Sequence, residues 1–321
     1  MRAMILAAGL GTRLRPLTRV RPKALVPVMG MPLLHYWIRR LYESGCEAVV
    51  VNAFHLCEEL VGVVEETDWP IPVEVRVESN LLGTGGGIRN ALDFFGNEPF
   101  VVVNGDILCN ADLESLYAQH LESDSSVSLL LHDFPEFNNV AVAGPFIRGF
   151  GSEAKSLNHA SSDVRLLAFT GIHVIDPGVL KSLEPGRPHE IIPVYRELIN
   201  SGNSPRAIFD ESLSWREIGS VKAYRSLHTE LAALPENAFL PLKSGQSICV
   251  HPSAEISPAA ILKGMVVVGR NARIMGGTIV EDAILWDDVE VRPKCRLRSC
   301  VVTDGVSVRG NQENKIIIES C

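Results

Sequence analysis

The chain has 321 residues, 46% hydrophobic and 21% charged, which is enough for about two well-cored globular domains and too apolar for a disordered protein. A formal net charge of -8 and a pI near 5.6 argue against a nucleic-acid binder, which usually carries a basic footprint. No apolar run approaches the roughly 20 residues of a membrane span, and no secretory leader is read.

The chain opens on Met4-Ile5-Leu6-Ala7-Ala8, a buried strand that empties into Gly9-Leu10-Gly11-Thr12-Arg13. Glycine admits positive φ and lets backbone N–H groups approach a ligand closely. A nest of such groups at the mouth of a helix suits a phosphate chain, because dipole and donors both favour negative charge. Arg13, and Lys23 of Arg21-Pro22-Lys23, add positive charge on either side. Between Met1 and Tyr42 stand eight Lys or Arg and no acid. A pocket for polyphosphate explains that balance better than a transit peptide, which would be a Ser-rich amphipathic helix. The loop is neither a Walker A loop nor a dinucleotide fingerprint, since Leu14 stands where a third glycine is required. Glycine spacing alone leaves two readings open, a nucleoside triphosphate cradle and an ordinary strand-to-helix turn.

Helical periodicity follows from Leu33 to Glu43, with Gly45 as its stop. Glu47 to Asn52 is apolar without alternation, the mark of a parallel strand buried on both faces. Cys57 to Glu66 reads as helix and Val73 to Val77 as strand. Gly83-Thr84-Gly85-Gly86-Gly87 opens a further helix through Phe95 and exposes backbone, either as a tight turn or as a wall for a flat nucleobase. Phe100 to Val103 is the next strand, ending in Asn104-Gly105-Asp106. Strand and helix alternate, so the expected fold is α/β, a doubly wound, mostly parallel sheet with ligands at strand C-terminal ends. Asp106 is the best single Mg²⁺ candidate, because a hard cation prefers oxygen and needs few protein ligands. A turn or helix cap is the alternative reading of that carboxylate.

Ser126 to His132 reads as strand and Phe134 to Asn139 as loop. Phe169-Thr170-Gly171-Ile172, His189-Glu190-Ile191 and Trp215-Arg216-Glu217-Ile218-Gly219 then follow. Seven cysteines, at 46, 57, 109, 249, 295, 300 and 321, are odd in number and lack a C-x-x-C pair. They read as reduced, mostly buried thiols of a cytoplasmic protein.

Taken together, L-A-A-G-x-G-T-R-L-x-P-L-T and R-P-K-x-L-V-P-V, from Leu6 to Val28, closely resemble the opening signature of the sugar nucleotidyltransferases. The resemblance runs from Met1 to about Leu231 and implies NTP and sugar 1-phosphate as substrates and Mg²⁺ as cofactor. It implies a nucleotide site of Leu6, Ala7, Ala8, Gly9, Gly11, Thr12, Glu78, Gly83 and Thr84. Asn104, Gly171 and Glu190 would lie on the sugar, although a helix N-terminal acid is an equal reading of Glu190. Arg13 and Lys23 would be the catalytic cations. Asp106 and Glu217 would hold the metal. Glu217 stands where the family has Asp, one C–C bond shorter, and the E-K-P string of many relatives is absent. L-G-T-G-G-G with N-G-D is most like the mannose-1-phosphate guanylyltransferases and N-acetylmuramate-1-phosphate uridylyltransferases. A non-catalytic nucleotide-sugar sensor is the rival that Glu217 and the missing E-K-P favour.

Residues 1–232 are expected to form the catalytic domain, 233–245 a linker with two prolines, and 246–321 a second domain with a C-terminal tail. In the last, Val250, Ile256, Leu262, Val268, Ile274 and Val280 recur every six residues, with Trp286 continuing the series. The phase then slips, with Val291 and Leu297 on one register and Val302 and Val308 on another. Six is the period of a hexapeptide parallel β-helix, expected here to be left-handed and to mediate homo-oligomer contacts. Some such helices are acyltransferases. That reading leaves His251 as the domain's only histidine.

Overall fold

A computed structural model describes residues 1–236 and 238–320. Asn237, within the expected linker, and Cys321, at the end of the expected tail, lie outside the described residues. The chain gathers into two compact units, residues 1–9 with 37–215 and residues 10–36 with 216–321.

The first unit is built on nine strands: β1 (Arg2–Leu6), β2 (Ala48–Ala53), β3 (Val73–Val77), β4 (Phe100–Asn104), β5 (Val127–His132), β6 (Val140–Ala143), β7 (Phe146–Phe150), β8 (Arg165–Ile175) and β9 (Arg206–Phe209). Their order in the sheet is β3-β2-β1-β4-β8-β5-β9-β7-β6. The apolar strands β1, β2 and β4 run parallel, with Leu6 opposite both Asn52 and Asn104. Three consecutive strand ends therefore share one edge, where α/β sheets hold ligands.

The expectation of a mostly parallel sheet needs correction. Beyond β4 the pairing turns antiparallel, β8 against β4, β5 and β6, and β7 against β6 and β9. Only one of these pairs is local, since the Gly144-Pro145 connection is too short for anything but a hairpin between β6 and β7. Parallel pairing returns only where β9 joins β5. The core of this unit gathers Met4, Val50, Phe100, Val102, Leu129, Val140 and Tyr195, and the rings of Phe95 and Phe100 stack at 3.7 Å.

The predicted helices Leu33–Glu43 and Cys57–Glu66 form over those residues. The glycine-rich helix does not run through to Phe95. It stops at Asn90 and resumes as a short turn, Leu92–Phe95.

In the second unit the residues from Ile248 onward form parallel ladders between successive coils. Val250 pairs with Val268, Ile256 with Ile274 and Leu262 with Val280, each eighteen residues on. Val268 then pairs with Leu285, Ile274 with Val291 and Leu285 with Val302, seventeen residues on, and Val302 with Ile317, fifteen on. Eighteen is three steps of six, so stacked positions repeat until one residue drops out. The loss sits at a bulge where Gly264 and Met265 face Asp282 alone. Leu285, not Trp286, therefore continues the stacked series. Trp286 is buried outside it, its indole N–H donating to the Tyr224 hydroxyl at 3.0 Å.

Left-handed backbone recurs at three places in each coil, at Asp282, Ser299 and Asn314, at Asn271, Asp288 and Gly305, and at Gly277, Lys294 and Gly310. Asn, Asp and Gly tolerate that conformation best and mark the corners of the coil. The six described cysteines are free thiols, five of them buried. Burial pushes Cys46 up to about 11 and Cys109 up to about 12, which keeps both protonated.

Candidate active site

In the first unit the strand that leads into the glycine loop is fastened by a residue the sequence reading passed over. The Ala7 N–H donates to Asn52 Oδ1 at 2.7 Å, and Asn52 Nδ2 donates to Glu78 Oε1 at 2.8 Å. The other carboxylate oxygen of Glu78 accepts the Leu82 N–H at 3.0 Å. Glu78 is thus a buried strut between the strand edge and the glycine helix. Desolvation raises its pKa, against the bonds from Leu82 and Asn52. A polar residue closing the apolar run Val49-Val50-Val51 was the available signal for Asn52, since a buried amide must find partners.

Ala8 is buried, and a side-chain carbon on Gly9 would meet nothing within 4 Å. The glycines of Gly83–Asn90 are different. A Cβ at Gly86 would lie 2.5 Å from the Arg187 carbonyl oxygen, at Gly83 2.7 Å from that of His189, and at Gly87 2.7 Å from Asn52 Nδ2. Their bareness lets this helix lie against the 187–190 backbone, so a side chain here would clash with the protein itself. The Gly86 N–H donates to His189 O at 2.9 Å. Thr84 Oγ1 accepts the Ile191 N–H and donates to Glu190 Oε2, both at 3.0 Å. Glu190 precedes the helix Ile191–Asn200 without capping it.

Asn104 and Gly171 are brought together. Gly171 holds φ +85°, and a Cβ there would stand 2.5 Å from Asn104 Nδ2, so both backbone and contact exclude a larger residue. Beside them Thr170 O accepts the Trp215 indole N–H at 2.8 Å, and Phe134 and Phe137 meet the Trp215 ring edge-on. Asp106 lies half-buried on the turn after β4, next to Gly105, whose N–H donates to Leu6 O at 2.9 Å.

In the second unit the chain from Leu10 does not enter an α-helix. Gly11, at φ +58°, leads into a single 3₁₀ turn, Thr12–Leu14, so the expected helix mouth is one tight turn. A Cβ on Gly11 would stand 2.6 Å from Thr18 Cγ2, and Thr18 Oγ1 donates to Gly11 O at 2.9 Å. Lys23, half-buried behind Pro22, opens a further such turn, Lys23–Leu25. Arg13 and Glu217 form one pair, Nη2 to Oε1 at 2.5 Å, with the arginine side chain 68% exposed and the glutamate 18%. A cation assigned to phosphate and a carboxylate assigned to metal thus meet each other.

Residues 2–139 match the family described as Nucleotidyl transferase. A Mycobacterium tuberculosis protein named Mannose-1-phosphate guanylyltransferase is 30% identical over 311 residues, covering 91% of this chain and 82% of its own length. This chain belongs to the sugar nucleotidyltransferase family. A second such nucleotidyltransferase, the N-acetylmuramate alpha-1-phosphate uridylyltransferase of Neisseria meningitidis, is 32% identical over 201 residues, 61% of this chain and 84% of that protein. Among solved structures, HddC from Yersinia pseudotuberculosis complexed with GMP-PN shares the fold, with a TM-score of 0.58 at 19% identity over 70% of this chain and 97% of HddC. Among the described residues of this sugar nucleotidyltransferase, no helix is long and apolar enough to cross a membrane.

Proposed function

We propose that this chain, acting in the cytoplasm, transfers a nucleotidyl group from an NTP, GTP or UTP, to mannose 1-phosphate or a related sugar 1-phosphate, releasing pyrophosphate. The observation that carries this reading is Gly9, whose backbone faces open space at the end of β1 while the neighbouring strand edge is locked by Asn52 and Glu78. An exposed glycine beside a rigid strand end leaves room for a phosphate chain to approach the backbone.

A sugar-phosphate oxygen attacks the α-phosphorus in line as the bond to the leaving pyrophosphate breaks, with no covalent enzyme intermediate. Positioning and charge neutralisation then carry the rate. Arg13 neutralises the departing pyrophosphate and Lys23 the α-phosphate or its attacker. Ala7, Ala8, Gly9, Gly11 and Thr12 cradle the phosphates, Leu6, Glu78, Gly83 and Thr84 frame the nucleoside, and Asn104, Gly171 and Glu190 orient the sugar.

The carboxylates Asp106 and Glu217 fit Mg²⁺ in chemistry, as hard oxygen donors. Among the described residues no three His, Cys, Asp or Glu side chains gather into a cage. An ion taking one or two protein carboxylates would complete its shell with substrate oxygens and water. When bound, Mg²⁺ supplies positive charge to the reacting phosphates.

Residues 1–232 serve as the catalytic domain, 233–245 as linker, and 246–321 as a left-handed hexapeptide β-helix that joins copies of the chain. Three corners per coil, each marked by a residue of positive φ, support a three-sided coil. The Arg13–Glu217 bond favours a second reading, a regulatory subunit that binds nucleotide sugars without turning them over. The test is Mg²⁺-dependent pyrophosphate release with each NTP and a panel of sugar 1-phosphates. Release with one pair supports the enzyme. Silence, with NDP-sugar binding in calorimetry, moves the assignment to the regulatory subunit.

A further inference from the structure

Arg21 belongs to the R-P-K motif, yet its side chain is given entirely to the parallel coils of its own unit. Its Nε and Nη2 donate to Asp304 Oδ2 and Oδ1 at 2.6 and 2.7 Å, and Nη2 also donates to Asp287 Oδ2 at 2.8 Å. The guanidinium carbon lies 5.4 Å from the centre of the Trp286 ring. The arginine side chain is only 16% exposed. Asp287 and Asp304 are stacked positions of successive coils, and Asp304 Oδ1 also accepts the Asp287 N–H at 3.0 Å. Arg21 therefore bridges two rungs of the ladder with the flat fork that bidentate carboxylate pairing requires.

The far side of the motif is tied to the same coils. The Trp286 indole N–H donates to the Tyr224 hydroxyl, which donates to Pro27 O at 2.7 Å. Lys23 lies between these two anchors. Pro22 limits the backbone on one side of it, and the turn closes with the Leu25 N–H on Pro22 O at 2.8 Å and the Val26 N–H on Lys23 O at 3.2 Å.

We infer that Arg21, gripped by Asp287 and Asp304, is a positioning residue that sets Lys23 for nucleotidyl transfer, so that the coils form part of the catalytic apparatus. The inference rests on the function proposed above.

The test uses the full chain carrying Arg21→Gln, Arg21→Lys and the pair Asp287→Asn with Asp304→Asn, each with and without Lys23→Met. Lysine keeps the charge and loses the fork, which provides a variant if Arg21→Gln does not fold. Each clamp variant is expected to lower kcat by about 10²-fold, the scale of a misplaced catalytic group. The same substitutions add no further loss in the Lys23→Met background, and amide exchange at Leu25 and Val26 speeds up. Equal losses with and without Lys23→Met show a merely structural clamp and overturn the inference, as does unchanged amide exchange. If the parent releases no pyrophosphate with any substrate pair, the proposed function fails, while the exchange measurement still decides whether the clamp holds the turn.

Discussion

Arg13 and Glu217 satisfy each other, one guanidinium nitrogen on one carboxylate oxygen at 2.5 Å. The arginine end is mostly exposed, whereas the glutamate is mostly buried. On the function proposed above, incoming phosphate and metal would compete for the two ends of this pair.

Separating the two roles needs substitutions that keep shape. Glu217→Gln still accepts from Arg13 but loses its charge. It is expected to raise the Mg²⁺ concentration needed for half-maximal pyrophosphate release by about tenfold, because one carboxylate ligand is gone. Arg13→Gln is expected to lower kcat by on the order of 10² and, by freeing Glu217 of its competitor, to lower that requirement or leave it no higher. A Mg²⁺ titration of both variants decides, and an unshifted Glu217→Gln curve removes this residue from the metal site.

Gly9 and Gly86 should respond oppositely to alanine. A methyl on Gly86 meets the Arg187 carbonyl at 2.5 Å, so overpacking should destabilise the fold by roughly 1–3 kcal/mol in denaturant unfolding. A methyl on Gly9 meets nothing. That variant should unfold like the parent and lose NTP affinity in calorimetry, and unchanged affinity would take Gly9 out of the phosphate cradle.

Asn52→Ala releases the Ala7 N–H and one oxygen of Glu78 together. Leaving buried polar groups unpaired costs about 1–3 kcal/mol each, so a clear fall in melting temperature is expected. A raised KM for NTP should accompany it, because the strand end loses its anchor. A variant with parental stability contradicts the strut.

Acid should weaken the second unit through His228. Its Nε2 accepts the Met29 N–H at 3.1 Å, and its Nδ1–H donates to Tyr224 O at 2.8 Å, leaving no room for a second proton. Burial pushes its pKa down from 6.5 to about 4. The unfolded chain takes up its proton near pH 6.5 and the folded chain only near 4. Stability from this group is therefore complete above pH 6.5, falls across that window and falls no further below it. Denaturant midpoints between pH 7 and 4, with NMR titration of the imidazole, check this. Titration near 6.5 would refute it.

Much of the molecule was legible in the chain itself. Apolar runs without alternation gave away β1, β2 and β4, and the period of six, from Val250 to Val280, announced coils that pair eighteen residues apart. Asp106 falls on a turn at the end of its strand, as the sequence reading had it. These features are local, since strand character, glycine freedom and repeat length depend on near neighbours in sequence. The antiparallel half of the sheet, the bulge that puts Leu285 and not Trp286 in the stacked series, and the segment against which Gly83–Gly87 pack were not legible. Nor were the Asn52–Glu78 strut, the Arg13–Glu217 pair and the grip of Asp287 and Asp304 on Arg21. Each joins residues tens to hundreds of positions apart. Composition and period say which groups need partners, but only the folded backbone decides which partner comes within hydrogen-bonding distance.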